Sequence, residues 1–367
     1  MPKEFNHPIR EEVRDFKPYT PGLSVEEIKQ KYGLSRVLKM ASNENPLGVS
    51  PFVQQALSQH AHLVFRYPQA NNPELSRDIA QHLGVDPYNI VCGNGSDELI
   101  DLLIRLLAAP GRDNVAAFQP CFSIYKMQAK LSGVEFRQTP VNPDFSFAWE
   151  DLFSLVDERT RLVFLTNPDN PSGYAAPAQE LREFASRLPD GCYLVVDEAY
   201  IDFARPREKY SALSFWGDLP NVIILRTFSK MFGLAGLRLG YAILPETLAD
   251  YMRRIRLPFS VNILAEKAGQ AGLRDEAFLN KTRSVILEGN EYLTHKLQYL
   301  GCQVYPSQAN FIMFQPPGNA YNIFELLLSR GIIIRPLDSY GFPELLRVSI
   351  GRPQDNWEFL RYLQEAL

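Results

Sequence analysis

A single lysine stands among small and apolar residues in the stretch TFSKMFGLAGLRLG, residues 227–240. Lys230 follows the apolar run NVIIL. Close to it in the chain are the hydroxyls of Thr227 and Ser229 and the guanidinium of Arg238, which are groups that would suit a phosphate. Most lysines are solvated at the surface, so Lys230 is either a solvated lysine at a strand end or a nucleophilic amine in a built site.

A carboxylate ends another apolar run. Asp197 directly follows CYLVV, and Tyr200 comes three residues later. Asp197 should therefore lie partly buried where that strand ends. Because burying an unpaired charge is costly, this carboxylate requires a partner, which is either a residue in a structural salt bridge or the cation of a bound cofactor.

Two turns follow other apolar runs. In GNGSDE, residues 93–98, two glycines allow a tight turn, Ser96 is suited to cap the next helix, and the first amides of that helix form an anion site. Glu98 stands where a dinucleotide fingerprint needs its third glycine, which disfavours a nicotinamide dehydrogenase. In TNPDNPSG, residues 166–173, one Asn-Pro pair would suffice for a turn, so the second pair indicates an amide, such as Asn170, aimed at a ligand.

These residues together meet the requirements of pyridoxal phosphate. That cofactor needs a lysine for a Schiff base, an acidic partner for its ring nitrogen and a cup of donors for its phosphate. Each motif alone also has a structural explanation, namely a capped helix, a turn, a salt bridge or a surface lysine. Their ordered combination favours the cofactor.

The positions of the motifs imply a mostly parallel sheet. From about residue 89 to 245, short apolar runs bounded by Pro, Gly, Asn or Asp alternate with helical patterns. Such a pattern is typical of a sheet covered on both faces, whose ligands bind beyond the carboxyl ends of the strands. The predicted strands are NIVCG, NVAAF, VEFRQTPV, RLVFL, CYLVV and NVIIL, and the predicted helices include SDELIDLLIRLLAA and CFSIYKMQAKLSG.

A smaller α+β unit is expected from the two ends of the chain. After a break near Pro258, long helices at about 262–300 precede the short strands CQVYP, ANFIMF, GIIIRP and LLRVSI. The predicted fold class is therefore α/β, with a large domain of mostly parallel sheet at residues 45–258. The small domain is predicted to combine residues 1–44 with residues 259–367.

The composition argues against several other classes of protein. The 367 residues carry a net charge of −4 and no block of Lys or Arg, so neither nucleic acid nor a membrane is an expected partner. The four cysteines are scattered without a CxxC pair and no HExxH motif is present, so no metal site is predicted. Unpaired cysteines, together with the lack of a signal-peptide pattern or a long apolar run, indicate a cytoplasmic location.

The ordered motifs resemble the fold-type I pyridoxal phosphate aminotransferases, which are aspartate aminotransferase-like in fold. The resemblance rests on SNENPLG, RYP, GNGSDEL, PCFSIY, NPDNPSG, DEAY, TFSKMFGLAGLRLG and RVSIG, and it spans nearly the whole chain. It implies that Lys230 binds the cofactor as a Schiff base and then moves a proton between the substrate Cα and the cofactor. Asp197 would pair with the ring nitrogen, and Asn170 and Tyr200 with the ring oxygen O3′.

The resemblance also implies the remaining cofactor contacts. Phe122 falls where the family stacks a Tyr or Trp on the ring, although a core aromatic remains an alternative for it. Tyr67 would reach the phosphate of the neighbouring subunit's cofactor, which requires a homodimer. The residues implied at the phosphate of the chain's own cofactor are Gly95, Ser96, Asp97, Thr227, Ser229 and Arg238.

For the substrates, the resemblance implies two arginines. Strand alternation puts Arg347 and Ser349 of LLRVSIG on one face, where an exposed strand arginine is the plain alternative. Arg347 would bind the α-carboxylate of glutamate and the phosphate of a phosphorylated substrate. Arg335 would be the second arginine for that phosphate, because a dianionic phosphate ester suits two arginines and a carboxylate needs one. The residues implied to close over the substrate are Tyr19, Asn43 and Asn45.

The function implied is amino transfer between L-histidinol phosphate and 2-oxoglutarate, giving imidazole acetol phosphate and L-glutamate in histidine biosynthesis. Aromatic-amino-acid aminotransferases and threonine-phosphate decarboxylases share the core motifs, so these activities stay open as alternatives. A regulator that holds the cofactor without turnover is disfavoured, since the chain has no helix-turn-helix extension or basic segment.

Overall fold

The computed structural model describes residues 8–14, 16 and 24–367. The strands in this part of the chain are β1 (Leu38–Lys39), β2 (Ile90–Gly93), β3 (Asn114–Gln119), β4 (Glu135–Pro140), β5 (Thr160–Thr166), β6 (Tyr193–Asp197), β7 (Val222–Thr227), β8 (Gly240–Ile243), β9 (Gln303–Val304), β10 (Phe311–Gln315), β11 (Ile332–Ile333), β12 (Arg335–Leu337) and β13 (Phe342–Ser349). The helices are α1 (Glu11–Arg14), α2 (Val25–Tyr32), α3 (Pro51–His60), α4 (Pro73–Leu83), α5 (Ser96–Leu107), α6 (Ser123–Leu131), α7 (Trp149–Ser154), α8 (Ala178–Arg187), α9 (Arg207–Tyr210), α10 (Glu246–Ile255), α11 (Ile263–Arg274), α12 (Glu276–Tyr299), α13 (Ala320–Ser329) and α14 (Pro353–Ala366).

Seven of the strands form one sheet in the order β2-β8-β7-β6-β5-β3-β4. The neighbours from β4 to β7 are parallel, and β8 runs antiparallel to both β7 and β2. Alternate residues of β5 pack on opposite faces: Leu162 and Phe164 pack on the side of α5, α6 and α10, and Val163 and Leu165 on the side of α8 and α11. Burial of both faces explains why these strands are continuous apolar runs.

The C-terminal part of the chain forms a second, antiparallel sheet in the order β12-β13-β10-β9. Helices α12 and α13 pack against it, and α14 packs against these two helices and contacts β10 through the rings of Phe359 and Phe314. A third, two-stranded sheet joins distant parts of the chain, because Leu38 of β1 pairs with Ile332 of β11. The chain segment that leads towards residue 45 is thereby attached to the C-terminal part.

The predicted α/β fold class and the six predicted strands of the large sheet are confirmed. The segment GIIIRP differs from the prediction, since it forms two strands, β11 and β12, that pair with different partners. The sequence pattern does not predict β8, which starts at a glycine inside a glycine-rich loop. The division into domains at residues 45–258 stays a prediction.

No helix among the described residues combines the length and the apolar character that a bilayer span requires. In the same part of the chain, no group of three or more His, Cys, Asp or Glu side chains is arranged to bind a metal ion.

A glycine allows α5 to begin close to the sheet. Gly240, the first residue of β8, pairs with Gly93 on one side and Thr227 on the other. A Cβ at Gly240 would lie 2.6 Å from the backbone nitrogen of Ser96 and 2.8 Å from the carbonyl carbon of Gly95. Both contacts are with backbone atoms, so the bare backbone at Gly240 determines where the first turn of α5 can lie.

We expect Gly240→Ala to destabilise the fold by about 1–3 kcal/mol, because the added methyl group must displace the start of α5. Urea unfolding followed by circular dichroism measures the change. Gly236→Ala is the matched control from the same loop, since a Cβ at Gly236 has no neighbour within 4 Å, and it should change stability by less than about 0.5 kcal/mol. Equal stability of the two variants would contradict this account.

Candidate active site

Three neighbouring parallel strands end at one cavity. The last residues of β5, β6 and β7 are Thr166, Asp197 and Thr227, and all three line a cavity of about 170 Å³, called here the inner cavity. This position beyond the carboxyl ends of the strands is where an open α/β sheet binds its ligands. The other lining residues are Ser96, Asp97, Phe122, Asn170, Ala199, Tyr200, Ser229, Lys230, Ala235 and Arg238.

Hydrogen-bond donors for an anion are grouped in the inner cavity. Helix α5 begins at Ser96, and the first turn of a helix leaves backbone N–H groups without partners inside the helix. Nη2 of Arg238 donates to the Asp97 carboxylate over 3.0 Å. Oγ1 of Thr227 donates to Oγ of Ser229 over 3.0 Å. A helix N-terminus, an arginine and two hydroxyls are groups that bind phosphate.

The turn that precedes α5 differs from the prediction in its cap. Gly95, with a φ of 79°, caps the helix, and Ser96 is the first helical residue. Glycine adopts this left-handed conformation without strain, and a Cβ at Gly95 would lie 2.7 Å from Nη2 of Arg238. The carboxylate of Glu98 accepts a hydrogen bond of 2.6 Å from the backbone N–H of Asn94, so the residue that breaks the dinucleotide fingerprint stabilises the turn.

Asp197 is a buried carboxylate that is 3 % exposed. Its Oδ2 accepts from the Tyr125 hydroxyl over 2.9 Å and its Oδ1 from the backbone N–H of Ala199 over 3.1 Å. Burial raises the pKa of Asp197 to about 6, although these hydrogen bonds oppose the rise. Within the described residues no Lys or Arg forms an ion pair with Asp197, so the structural salt bridge is absent there. The carboxylate is therefore suited to the cation of a ligand.

Lys230 is half-buried at the edge of the inner cavity. Its Nζ donates to the backbone carbonyl of Ser42 over 3.1 Å and lies 5.7 Å from the centre of the Tyr200 ring. Burial, and after it the nearby cation of Arg347, lowers the pKa of Lys230 to about 8. A neutral amine is thus accessible close to physiological pH, as a nucleophile or a general base requires.

A second cavity of about 130 Å³ adjoins the inner cavity and contains two arginines; we call it the arginine cavity. Arg335 and Arg347 are direct cross-strand partners on β12 and β13. Like charges at such positions repel each other, and neither arginine forms an ion pair with a carboxylate of the described residues. The pair is therefore suited to a ligand that carries two negative charges. The residues that line both cavities are Phe122, Asn170, Tyr200 and Lys230.

Arg347 is buried, which rules out the alternative of an exposed strand arginine. Its Nη1 donates to Oδ1 of Asn170, and its Nη2 donates to the backbone carbonyl of Ala41 over 3.0 Å. Its Nε has no hydrogen-bond partner in the described part of the chain. The guanidinium lies 4.9 Å from the centre of the Phe311 ring. The side chain is held in one place and retains a free donor.

Asn43 links the two cavities. Its Nδ2 donates to the Tyr200 hydroxyl over 3.1 Å, and its Oδ1 accepts from the Ser349 hydroxyl over 2.9 Å. Ser349 follows Arg347 by two residues on β13, so the two side chains share one face of the strand. Asn43 therefore fixes Tyr200 relative to the strand that carries Arg347.

Among the described residues, the predicted site side chains of Asn45 and Tyr67 do not line either cavity. Asn45 uses its Nδ2 to donate to the backbone carbonyl of Met231 over 2.8 Å. Tyr67 is 80 % exposed, and its ring stacks on Phe259 with the ring centres 4.7 Å apart. Tyr19 lies outside the described residues. The roles of these three residues stay predictions.

Several contacts of the site were missed by sequence reasoning. Thr166 could have been found, because it ends a predicted strand directly before the Asn-Pro turn. Tyr125 lies inside α6, where no local pattern distinguishes it from a core residue. The acceptors for Lys230 and Arg347 are the backbone carbonyls of Ser42 and Ala41, and a carbonyl leaves no signal in the residue type.

The residues around the inner cavity fit pyridoxal phosphate. Donors for a phosphate, a carboxylate without a cation and an amine of lowered pKa line the same cavity, and this is the set of groups that the cofactor requires. The bare backbone of Gly95 leaves space beside Arg238 that a Cβ would occupy. The ring of Phe122 lines both cavities and offers an aromatic face.

Comparison with known proteins agrees with this fit. The family aminotransferase class I and II matches residues 35–363. A histidinol-phosphate aminotransferase from Nitratidesulfovibrio vulgaris (Hildenborough) is 56 % identical over 359 residues, which are 98 % of this chain and 96 % of that protein. The histidinol-phosphate aminotransferase from Oleidesulfovibrio alaskensis is 55 % identical over 363 residues, which are 98 % of this chain and 95 % of that protein.

A solved structure is similar over the same length. The crystal structure of histidinol-phosphate aminotransferase from Sinorhizobium meliloti in complex with pyridoxal-5'-phosphate has a TM-score of 0.89 and 28 % sequence identity, covering 99 % of this chain and 98 % of that one. The fold is therefore that of the fold-type I aminotransferases, as the sequence motifs predict. The chain belongs to the aminotransferase class I and II family.

Proposed function

We propose that the chain uses pyridoxal phosphate to exchange an amino group between L-histidinol phosphate and 2-oxoglutarate. The family match supports amino transfer, and the relative that is 56 % identical over nearly its whole length carries the name of this reaction. The single observation that carries the substrate assignment is the pair of arginines, Arg335 and Arg347, that face each other beside Lys230.

The residues that would hold the cofactor follow from the inner cavity. Asp197 would accept the ring N–H, Asn170 and Tyr200 would bind the ring oxygen O3′, and Phe122 would cover one ring face. When bound, pyridoxal phosphate supplies an electron sink for the electrons that remain when a bond to the substrate Cα breaks. The groups that would bind its phosphate are Arg238, Thr227, Ser229 and the backbone amides at Gly95 and Ser96, with the Asp97 carboxylate beside them as an acceptor for Arg238.

Lys230 would provide the amine to which the cofactor attaches and, once the amino group of the substrate has displaced it, would act as the base that removes the proton from the substrate Cα. Its position on the border of both cavities brings Nζ close to a substrate held by the arginines. Because burial and Arg347 lower the pKa of Lys230 to about 8, a neutral amine is available for both tasks near neutral pH.

The two arginines bind the acidic groups of the substrates. Arg347 would bind the α-carboxylate of glutamate in one half-reaction, since its Nε retains a free donor among the described residues. In the other half-reaction, Arg335 and Arg347 together would bind the phosphate of histidinol phosphate. Two guanidinium groups match the charge of a phosphate monoester near pH 7.

Two alternative activities share the same fold. An aromatic amino acid carries one carboxylate and leaves Arg335 without a task, which disfavours an aromatic-amino-acid aminotransferase. Threonine phosphate, the substrate of a decarboxylase of this fold, would use both arginines. The test is a comparison of kcat/KM for histidinol phosphate, phenylalanine and threonine phosphate, and a preference for either of the last two would overturn the proposal.

We expect Arg335→Gln to lower kcat/KM for histidinol phosphate by about tenfold to a hundredfold, the range for loss of a hydrogen bond between charged groups. The half-reaction with glutamate should change less than about threefold, because Arg347 remains. Single-turnover kinetics with each substrate measure both effects. Arg330→Gln, at an exposed arginine near the end of α13 that pairs with Glu365, is the control, and equal losses with both substrates would remove Arg335 from the phosphate role.

The ionisation of Lys230 gives a pH prediction. In the cofactor-free protein, acylation of Lys230 should rise with pH through about 8, since the reagent attacks the neutral amine. Arg347→Gln should move this midpoint to higher pH, because the Arg347 cation disfavours the ammonium form. Pulse labelling with acetic anhydride and mass spectrometry, normalised to the exposed Lys281, measures the midpoint. An unchanged midpoint in Arg347→Gln would contradict the electrostatic coupling.

We further propose that the protein works as a homodimer in the cytoplasm, with Tyr67 of one subunit at the cofactor phosphate of the other. An exposed apolar patch supports the dimer, because contiguous exposed apolar surface typically marks an interaction site. The four described cysteines are unpaired, in keeping with a reducing compartment. The patch consists of Val64 (65 % exposed), Phe65 (74 %), Tyr67 (80 %), Leu257 (71 %) and Phe259 (45 %).

Subunit mixing tests this arrangement. Tyr67→Ala and Lys230→Ala should each be impaired alone, whereas a mixture of the two should regain activity, because a mixed dimer contains one intact site. Tyr299→Ala is the matched control, since Tyr299 is as exposed as Tyr67 (81 % against 80 %), and it should keep full activity. Failure of the mixture to regain activity, with dimers present by sedimentation, would place Tyr67 outside the neighbouring site.

A further inference from the structure

The partner of the buried Asp197 carboxylate is a tyrosine, Tyr125, in the first half of α6. Its hydroxyl donates to Oδ2 of Asp197 over 2.9 Å. The same hydroxyl lies 2.8 Å from Oγ1 of Thr166. A phenol has one proton, so a Tyr125 hydroxyl that donates to the carboxylate receives its second hydrogen bond from Thr166. The three residues form a directed chain of hydrogen bonds that ends at Asp197.

We propose that Tyr125 is a positioning residue for the cofactor: its hydroxyl, held by Thr166, keeps the Asp197 carboxylate ionised and oriented towards the cation of the pyridinium ring. This inference rests on the proposed cofactor site. It concerns a residue that does not line the inner cavity, so its effect passes through Asp197.

A neutral donor suits this task better than a cation. An arginine or lysine beside Asp197 would satisfy the carboxylate and compete with the ring N–H for it. A phenol stabilises the anion by a hydrogen bond and leaves the net negative charge for the ring. Burial keeps the pKa of Tyr125 well above its usual value of 10, so the hydroxyl keeps its proton near neutral pH and can donate it.

One strand fixes both ends of the Tyr125 side chain. The ring stacks on Phe164 of β5, with the ring centres 4.7 Å apart, and its hydroxyl meets Thr166 two residues further along the same strand. In turn, Thr166 is the register partner of Asp197 on β6. The rings of Tyr125 and Phe122 form an edge-to-face contact with their centres 5.7 Å apart. The tyrosine therefore contacts both the carboxylate and the aromatic side chain proposed to cover the cofactor ring.

The ionisation of the buried Asp197 carboxyl group should be sensitive to its hydrogen bond from Tyr125. Burial raises the pKa of Asp197, the hydrogen bond from Tyr125 is the largest opposing effect, and the charges of Asp97 and Glu198 raise it further. Without the phenol hydroxyl, Asp197 should become protonated at a higher pH. A protonated, neutral Asp197 cannot form an ion pair with the positively charged ring, so the affinity for the cofactor should fall at low pH.

The test measures cofactor binding rather than turnover. The purified holoenzyme is stripped of cofactor, and pyridoxal phosphate is titrated back between pH 5 and pH 9 with absorbance as the readout. Tyr125→Phe keeps the packed ring and should weaken binding by about tenfold or more, as loss of a hydrogen bond to a charged group does. The fall in affinity on the acid side should begin at a higher pH than in the wild type.

Three further variants test the hydrogen-bonded chain and provide a control. Thr166→Val should weaken binding in the same direction, and the double variant Tyr125→Phe/Thr166→Val should bind no more weakly than Tyr125→Phe, because Thr166 acts through the tyrosine. Tyr241→Phe removes a buried hydroxyl that interacts with Arg226 on β7, and it should bind within about twofold of the wild type.

The possible results distinguish a failure of this inference from a failure of the proposed function. A wild-type chain that fails to bind pyridoxal phosphate overturns the proposed cofactor site. A wild type that binds, together with a Tyr125→Phe variant of equal affinity and pH dependence, overturns the role of Tyr125 alone. If Tyr125→Phe does not fold, Thr166→Val decides, and unchanged binding in that variant overturns the inference. Losses that add in the double variant would overturn the hydrogen-bonded chain.

Discussion

The parallel pairing of β5, β6 and β7 is the constraint on which the site depends. Backbone hydrogen bonds place Thr166 in register with Asp197 and the end of β7 beside them. Polar residues that are far apart in the chain thereby reach one edge of the sheet, while the apolar bodies of the strands are buried on both faces. The same hydrogen bonds that stabilise the sheet therefore determine the distances between the groups proposed to bind the cofactor.

The electrostatics of the two cavities depend on this arrangement. Burial and the cations of Arg347 and Arg238 disfavour the ammonium form of Lys230, whereas the carboxylates of Glu44 and Asp97 favour it, and the net effect is a lowered pKa. The arginines that attract acidic ligands thus also make the neutral form of the lysine more available near neutral pH. Asp197 forms no ion pair with these cations among the described residues, and its hydrogen-bond donors oppose the rise in its pKa that burial causes. One small volume therefore contains an amine of lowered pKa and a carboxylate of raised pKa.

Much of the fold and part of the site follow from sequence alone, for identifiable reasons. Residues such as Asp197 and Lys230 follow apolar strands, so the sheet itself predicts where they lie. Strand alternation likewise places Arg347 and Ser349 together. Tyr125 could not be predicted, because its partner is 72 residues away and it sits inside a helix. The cap at Gly95 depends on a left-handed φ, which the serine-cap pattern does not reveal. The role proposed for Tyr67 requires a second chain, which a single sequence does not describe.

The segment that leads out of β1 has a further consequence. Ala41 and Ser42 offer only backbone carbonyls to Arg347 and Lys230, so these two contacts do not depend on the type of side chain. The side chains must still be small, because Ala41 is buried and both residues line the arginine cavity. Loss or insertion of a single residue would shift both acceptors out of reach, so this stretch constrains chain length as well as side-chain size.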